Sequence, residues 1–244
     1  MNAIETKDLT KRYKNKTAVS SLTLTVGEGE LFALLGVNGA GKTTTIRMLS
    51  CLSKPAEGEC YVCGHSCQSE PAAVKGVVGI SPQDTAVAEN LTVLENLRLM
   101  CGVYGYSPEK TASRIADMTE LFKMSDVANS RAKTLSGGWK RKLSIAMALI
   151  AEPKVLFLDE PTLGLDVLAR RELWSVVEEL KSRITIVLTT HYMEEAEALS
   201  DRIGIMIDGS LAALGTLSEL EAQSGESGLE NVFVKIAEKH GKGA

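Results

Sequence analysis

The chain has 244 residues, of which 44% are hydrophobic and 24% are charged, so it has enough apolar residues for a sizeable core and is not intrinsically disordered. Its 27 basic and 31 acidic residues give a net charge of −4, which argues against a broad surface that coats nucleic acid. The five cysteines form no disulfide framework, which predicts reduced thiols and a cytosolic setting. Because the sequence has no signal peptide and no apolar run near the roughly 20 residues that cross a bilayer, we expect membrane contact only through a partner.

The first elements are predicted to be short strands that lead into a glycine-rich loop. Apolar residues alternate with threonines over 22–26, as in a half-buried strand. The compact apolar run 30–35 is typical of a buried central strand. Glycines dominate 36–41, and 43–51 then has helical spacing.

Residues 84–152 are predicted to form a helical insertion, because 92–99, 111–122 and 143–151 show helical apolar spacing. After it, strands at 155–158 and 184–188 alternate with helices at 170–180 and 192–199. This alternation implies a parallel sheet and the α/β class.

The end of the chain is predicted to hold a hairpin, a linker and a small helix. The hairpin pairs 203–207 with 211–214 around Asp208-Gly209. Residues 222–228 are rich in glycine and serine, which predicts a linker. One helix face is then predicted to dock on another surface, and it consists of Leu229, Val232, Phe233 and Ile236.

The glycine-rich loop fits the pattern G-x4-G-K-[S/T] and lies between a predicted strand and a predicted helix, which is the context that supports nucleotide binding. Glycines allow a tight backbone around phosphate oxygens, and a helix N-terminus adds free N–H groups. We expect Lys42 to reach the β- and γ-phosphates and the Thr43 hydroxyl to ligate Mg²⁺. A plain glycine-rich turn is the less favoured alternative. The predicted loop consists of Gly36, Val37, Asn38, Gly39, Ala40, Gly41, Lys42 and Thr43.

Two carboxylates follow the apolar strand 155–158, at the edge where ligands bind in open α/β sheets. Asp159 is predicted to hold Mg²⁺, directly or through water, and Glu160 to polarise a water for attack on the γ-phosphate. Taken alone, the pair is more often a solvated strand end. Together with the phosphate loop, it favours catalysis.

A second glycine motif, 135–138, precedes a helix that begins near Trp139. A helix N-terminus beside glycines is an anion site, which suggests that a second copy of the chain grips the other face of the nucleotide here. The alternative is a serine-capped helix after a turn.

The phosphate loop, the second glycine motif and the acidic pair follow one another along the chain as they do in the ATP-binding subunit of ABC transporters, which the sequence resembles over about residues 9–216. The tail at 229–233 and Ile236 is similar to ABC-2 type exporter subunits. The resemblance implies a P-loop NTPase with a RecA-like parallel sheet core, an N-terminal antiparallel β subdomain and an inserted α-helical subdomain. It implies an ABC ATPase domain over 1–218, with core segments 1–84 and 152–218 and a helical signature subdomain at 85–151. A C-terminal extension with one amphipathic helix would occupy 219–244.

The resemblance also implies roles for single residues. Thr44 belongs to the Walker A loop, and Tyr13 would stack on adenine, although an aromatic in a basic hairpin could simply pack. Gln83 would sense Mg²⁺ and the attacking water. His191 would hydrogen-bond the γ-phosphate, although a lone histidine after a strand is more often structural. The residues that would complete the opposite site or bridge the two sites are Ser136, Gly137, Gly138 and Asp166.

Three features depart from the family or invite another interpretation. Val37 replaces the usual proline and Trp139 the usual glutamine, and neither implies inactivity. The basic residues 140–142 are predicted either to face a triphosphate or to form a solvated turn. The cysteines of 60–67 would pass a scan for zinc, but Cys60 and Cys63 are predicted to point to opposite faces of a strand, so a zinc site is rejected.

The sequence therefore predicts an ATPase that dimerises around two MgATP and powers an integral membrane permease from the cytoplasmic face of the membrane, and the expected direction of transport is export. The partner ATPase would be a second copy or a paralogue, and no nucleic acid is expected. The sequence does not identify the transported substrate. The rivals are a soluble ABC-type ATPase acting on ribosomes or DNA, a P-loop kinase or switch, and a catalytically weak binding module.

Overall fold

The structure, a computed structural model, describes residues 1–14, 16–181 and 183–241. The strands and helices follow in this chain order: β1 (Asn2–Tyr13), β2 (Lys16–Gly27), β3 (Leu31–Leu35), α1 (Lys42–Leu49), β4 (Glu57–Val62), β5 (His65–Ser66), α2 (Pro71–Val77), β6 (Val78–Ser81), α3 (Val93–Val103), α4 (Pro108–Leu121), α5 (Gly137–Leu149), β7 (Val155–Asp159), α6 (Val167–Leu180), β8 (Thr185–Thr190), α7 (Met193–Leu199), β9 (Arg202–Ile207), β10 (Ser210–Gly215), α8 (Leu217–Ser224) and α9 (Leu229–Gly241).

A six-stranded sheet in the order β10-β9-β3-β8-β7-β6 forms the centre of the fold. Its strands are parallel except β10, which pairs antiparallel with β9. Every residue of β3, β7 and β8 is buried, because other elements cover both faces of these strands. The predicted parallel sheet and α/β class are confirmed. The carboxyl ends of β3, β7 and β8 lie side by side, which places the residues that follow them at one edge.

The side chains of β3 alternate between the two faces of this sheet. Phe32 and Leu34 pack with α1 and with a separate antiparallel sheet in the order β2-β1-β4-β5. Leu31 packs on the opposite side, in a core that includes residues of α3, α4, α5 and α6. The antiparallel sheet and the helical block therefore lie on opposite faces of the central sheet.

The helical block between β6 and β7 begins its helices at polar caps. Thr92 and Glu95 form a capping box at the start of α3, and the Ser107 side chain caps α4 just before Pro108. Helix α5 begins at Gly137, two residues before Trp139, near which the second glycine motif predicts its start, because Ser136 caps it. The apolar spacing misses this first turn, since residues 139–142 carry an aromatic and three basic side chains.

The C-terminal segment corrects one prediction and confirms two. The linker predicted at 222–228 is wrong for 222–224, which form the last turn of α8, and the predicted boundary at 218/219 falls inside that helix. A capping box from Thr216 and Glu219 starts α8, and Gly225 at φ 76° ends it. The hairpin turn at 208–209 has φ values of 46° and 83°, as predicted for its Asp-Gly pair. The apolar face of α9 packs on β9 in one buried cluster, as the pattern predicts.

Candidate functional site

The glycine-rich loop between β3 and α1 packs so closely on its neighbours that two of its positions can hold only glycine. Gly41 has φ 105°, and a Cβ there would lie 2.5 Å from the carbonyl oxygen of Ala18. A Cβ on Gly36 would lie 2.5 Å from the carbonyl oxygen of Met206. The loop thus packs closely against β2 and β9, and its shape follows from this contact.

Lys42, the first residue of α1, is buried and folds back over the loop. Its Nζ donates to the carbonyl oxygens of Gly36 at 2.7 Å and Val37 at 3.2 Å. The same Nζ lies 3.2 Å from Oε1 of Glu160, with side-chain exposures of 4% and 7% for the two partners. This nearly dry ion pair joins the loop to the end of β7.

Asp159 and Thr43 form a group of oxygen donors beside the loop. The Thr43 hydroxyl donates to Asp159 Oδ1 at 3.1 Å, and the Thr189 hydroxyl donates to the same oxygen at 2.5 Å. Hydroxyl and carboxylate oxygens are the ligands that Mg²⁺ prefers, so these side chains fit the predicted magnesium site.

Glu160 follows Asp159 in a strained conformation, since its φ of 46° is unusual for any residue other than glycine. Its backbone N–H donates to the carbonyl oxygen of Thr189 at 3.1 Å, which holds this turn in place. The turned side chain lies between Lys42 and His191, whose Nδ1 is 3.1 Å from Glu160 Oε2. A backbone outlier that aims a buried carboxylate into a cleft points to function.

Of these residues, Lys42, Thr43, Glu160 and His191 line a cleft of about 420 Å³, within the range of small-ligand sites. Tyr13 lies at its rim with 45% of its surface exposed, and Lys11 Nζ lies 5.0 Å from the centre of its ring. A larger hollow of about 960 Å³ lies at the opposite ends of β7 and β8 and contains none of the predicted site residues. The lining of the smaller cleft is Tyr13, Lys16, Ala18, Asn38, Gly39, Gly41, Lys42, Thr43, Thr44, Gln83, Glu160, Leu163 and His191.

The remaining predicted residues lie outside this lining. Ala40 is buried within the loop, and Gly36 forms its base. The Ser136 hydroxyl accepts from the N–H of Trp139 at 3.4 Å, so the predicted serine cap is present. Asp166 caps α6, and its Oδ1 accepts from the N–H groups of residues 168 and 169.

The starts of α5 and α6 lie next to each other in one chain. A Cβ on Gly138 would lie 3.2 Å from the Cβ of Ala169. Beside them, Val167 and Leu168 are 62% and 73% exposed. Apolar side chains exposed at the start of a helix suit a contact surface.

The basic residues 140–142 do not form a solvated turn, because each of their side chains contacts a group on another element, and none of them lines the cleft of this chain. Lys140 pairs with Glu89 at 3.1 Å and Lys142 with Glu172 at 2.7 Å. Arg141 is 4% exposed and donates to two backbone carbonyl oxygens, of Pro82 and Gln83. The structure differs from the predicted turn because lysine and arginine side chains are long enough to reach acceptors on other elements.

Thr189 is a site residue that the sequence reasoning missed. Its hydroxyl bonds Asp159, and its carbonyl oxygen holds the turn at Glu160. The available signal was its place at the end of β8, directly opposite Asp159 in the parallel register.

The cysteine-rich stretch 60–67 does not present a thiolate cluster. Cys60 is buried in β4, whereas Cys63 lies in the turn after it and is part exposed. A hydrogen bond with Cys60, together with burial, raises the pKa of Cys67, and burial raises the pKa of Cys51 to about 11. Among the described residues, no group of three or more cysteine, histidine or acidic side chains is arranged to hold a metal ion.

Glu195 on α7 is a buried carboxylic acid that lies close to Thr190, the last residue of β8. The Trp174 indole N–H donates to its Oε1 at 3.1 Å, while its Oε2 has no hydrogen-bond partner among the described residues. Burial raises the pKa of Glu195, although the nearby hydroxyls of Thr190 and Thr162, the Trp174 indole and the charge of Arg170 oppose the shift. The neutral form of Glu195 therefore persists to a higher pH in the folded chain than in the unfolded chain.

This raised pKa predicts a pH-dependent stability. Stability from the neutral Glu195 is fully present below the ordinary carboxyl pKa and is lost as the pH rises through the raised value. Glu195→Gln keeps a neutral group of the same shape, so it should escape this loss. As the pH rises above about 4.3, the ordinary glutamate pKa, the free energy of unfolding of Glu195→Gln should therefore increase relative to that of wild type. Urea unfolding across this range measures the difference, and a difference independent of pH would contradict the prediction.

Comparisons with known proteins agree with this geometry. The family described as ABC transporter matches residues 19–163. Human phospholipid-transporting ATPase ABCA3 is 42% identical over 236 residues, which cover 95% of this chain but 14% of that protein. The daunorubicin/doxorubicin resistance ATP-binding protein DrrA of Streptomyces peucetius is 42% identical over 226 residues, 92% of this chain and 68% of that one.

Solved structures show the same fold. The ATP-binding subunit of an ABC transporter superposes with a TM-score of 0.86 at 32% identity, covering 96% of this chain and 99% of that chain. The ATP-binding cassette MJ0796, solved as a dimer in a post-hydrolysis state with ADP and Pi, gives 0.80 at 27% identity, over 88% and 98% of the two chains. These likenesses confirm the predicted P-loop NTPase fold. Among the described residues no helix has the length and apolarity to span a bilayer. The chain belongs to the ABC transporter family and is an ABC ATPase.

Proposed function

We propose that two such chains, identical or paralogous, close around two MgATP and that hydrolysis reopens them to drive export by a membrane permease. The observation that carries the proposal is the convergence of Lys42, Thr43, Asp159, Glu160 and His191 at one sheet edge, while Ser136–Gly138 lies outside that cleft. A second chain can therefore supply its signature to a nucleotide held in this one.

Binding rests on the phosphate loop. Lys42 exchanges its carbonyl contacts for the β- and γ-phosphates, and the N–H groups at the start of α1 bind phosphate oxygens. Thr43 and Asp159 hold Mg²⁺, which neutralises charge on the phosphates when it is bound. Tyr13 stacks on the adenine from the rim of the cleft.

Glu160 acts as the general base for hydrolysis. Its carboxylate accepts a proton from water as that water attacks the γ-phosphate, and His191 holds the carboxylate and contacts the same phosphate. Gln83 lines the cleft from the segment after β6, where it can contact the water and the metal site. Asn38, Gly39, Ala40 and Thr44 complete the cradle around the phosphates.

Dimerisation is supported by two findings. The exposed Val167 and Leu168 lie beside Gly138, where a second chain would cover them. The similar cassette MJ0796 was solved as a dimer bound to ADP and Pi. In such a dimer Asp166, at the cap of α6, lies between the two sites.

The permease is proposed to dock in an apolar groove between the core and the helical block. The groove measures about 430 Å³ and is lined by Leu52, Ile80, Met100 and Tyr104, among others. Leu52 is 60% exposed there, and an apolar helix of the permease would cover it. The likeness to a drug-resistance ATP-binding protein supports export, and docking would place the chain on the cytoplasmic face of the membrane.

Leu52→Glu tests this function directly. A charge in the groove should lower co-purification of the permease from detergent-solubilised membranes by at least about tenfold, because a buried unpaired carboxylate is costly. ATP hydrolysis by the isolated chain should stay within about twofold, since Leu52 lies outside the cleft.

The matched control is Val234→Glu, at a residue that is 51% exposed on α9. Capture of an integral membrane protein by wild type and Val234→Glu but not by Leu52→Glu is the expected result. Recovery of wild type with ribosomes or DNA instead would favour the soluble ATPase.

A further inference from the structure

Arg141 forms a bridge between the signature helix and the segment that carries Gln83. It lies on α5, four residues and so one turn after Gly137, and its guanidinium reaches the chain just after β6. Nη1 donates to the carbonyl oxygen of Pro82 at 2.6 Å and Nη2 to that of Gln83 at 2.5 Å. The planar fork of one arginine thus fixes two consecutive peptide units.

A second contact strengthens the same junction. The hydroxyls of Ser144 and Ser81 lie 2.9 Å apart and are both buried. Because Ser144 is three residues after Arg141, the two side chains leave the same face of α5. Ser81, the last residue of β6, and the two residues that follow it, Pro82 and Gln83, are therefore attached to one face of α5.

Burial makes this bridge hard to replace. Arg141 is 4% exposed, so water cannot readily take the place of its N–H donors on the two carbonyl oxygens. Burial lowers the pKa of Arg141, and the negative charges of Asp159 and Asp84 oppose that shift. The guanidinium stays charged, because arginine is not deprotonated in proteins.

We propose that Arg141 is a positioning residue that fastens Gln83 to α5, so that Gln83 and the signature at the start of α5 move as one unit. The inference rests on the proposed function. A displacement of Gln83 by the nucleotide in its own cleft then moves Ser136–Gly138, which faces the nucleotide of the opposite chain. Arg141 acts through Gln83 and does not itself touch ATP.

The test compares Arg141→Met with a matched variant of the full-length chain. Arg114 makes the same kind of contact at the other end of α5, where it donates to the carbonyl oxygens of Leu149 and Ile150. Arg114→Met therefore removes a similar pair of backbone contacts away from the site, together with the ion pairs of Arg114 with Asp117 and Glu152. Arg141→Lys keeps the charge and one donor group.

Amide hydrogen exchange without nucleotide measures the contact itself. In Arg141→Met, exchange over 79–86 should become at least about fivefold faster, whereas Arg114→Met should accelerate only the end of α5. Unchanged exchange over 79–86 would overturn the proposed bridge. This measurement needs no ATPase activity, so it decides on the bridge separately from the proposed function.

Steady-state kinetics measures how the loss of the Arg141 contacts affects ATP hydrolysis. In Arg141→Met, kcat should fall about 10- to 100-fold while KM for ATP and the affinity for a fluorescent ATP analogue stay within about threefold. Arg141→Lys should recover part of kcat, and Arg114→Met should stay within about twofold at any temperature below its Tm. A normal kcat in Arg141→Met, or an equal loss in Arg114→Met, would overturn the positioning role. A wild-type chain that hydrolyses no ATP would instead refute the proposed function and with it this role.

Discussion

Glu160→Gln is expected to lower the rate of ATP hydrolysis by at least about 100-fold, the contribution typical of a positioned general base. ATP affinity should change by less than about threefold, since glutamine keeps the shape of the side chain, its Oε1 still accepts a hydrogen bond from Lys42, and its amide N–H can donate to Nδ1 of a neutral His191. Those two contacts, at 3.2 and 3.1 Å, already aim the carboxylate into the cleft. The variant therefore removes the proton acceptor and leaves the surrounding geometry in place.

Because nucleotide then binds without being consumed, Glu160→Gln should also accumulate as a dimer with MgATP. Gel filtration with and without MgATP, beside single-turnover hydrolysis, measures both effects. The control is Glu194→Gln, at an 80% exposed carboxylate near His191 that pairs with Arg170. Hydrolysis by Glu160→Gln at the wild-type rate would show that another group accepts the proton.

The parts of the site that could be predicted are those whose chemistry is local in sequence. A glycine-rich loop between a strand and a helix has a defined geometry, and the sheet brings the ends of its parallel strands to one edge. Lys42, Thr43, Glu160 and His191 line or border one cleft for this reason. Likewise, Asp208-Gly209 dictates its own turn.

The parts that could not be predicted depend on contacts between distant residues. The hydrogen bond from Thr189 to Asp159 requires the register of β7 with β8. Arg141 finds its acceptors 58 and 59 residues earlier in the chain, a distance that no sequence pattern encodes. The last turn of α8 resembles a linker in composition and becomes helical through the capping box at Thr216 and the burial of Leu220. Tertiary packing therefore overrides local preference at each of these residues.

Lys42→Ala is expected to weaken ATP binding by at least about 100-fold, because hydrogen bonds to charged groups contribute about 1.5–3 kcal/mol each and Lys42 is proposed to contact two phosphates. The substitution also leaves Glu160 as a buried carboxylate without its ammonium partner, which adds repulsion toward the γ-phosphate. Both effects act in the same direction, so the loss should appear in affinity and not in kcat alone.

Titration with a fluorescent ATP analogue measures this loss, and thermal unfolding checks that the variant remains folded. Lys142→Ala is the matched control, since it removes an ammonium of similar burial, with a side chain 9% exposed, whose partner Glu172 lies outside the cleft. Its ATP affinity should stay within about threefold of wild type, because no phosphate contact is lost. Since Lys42 holds the loop through Gly36 and Val37 even without ATP, the Lys42→Ala loop should also open, and added ATP should no longer raise its Tm. A folded Lys42→Ala chain that binds ATP as tightly as wild type would refute the phosphate loop as the binding site.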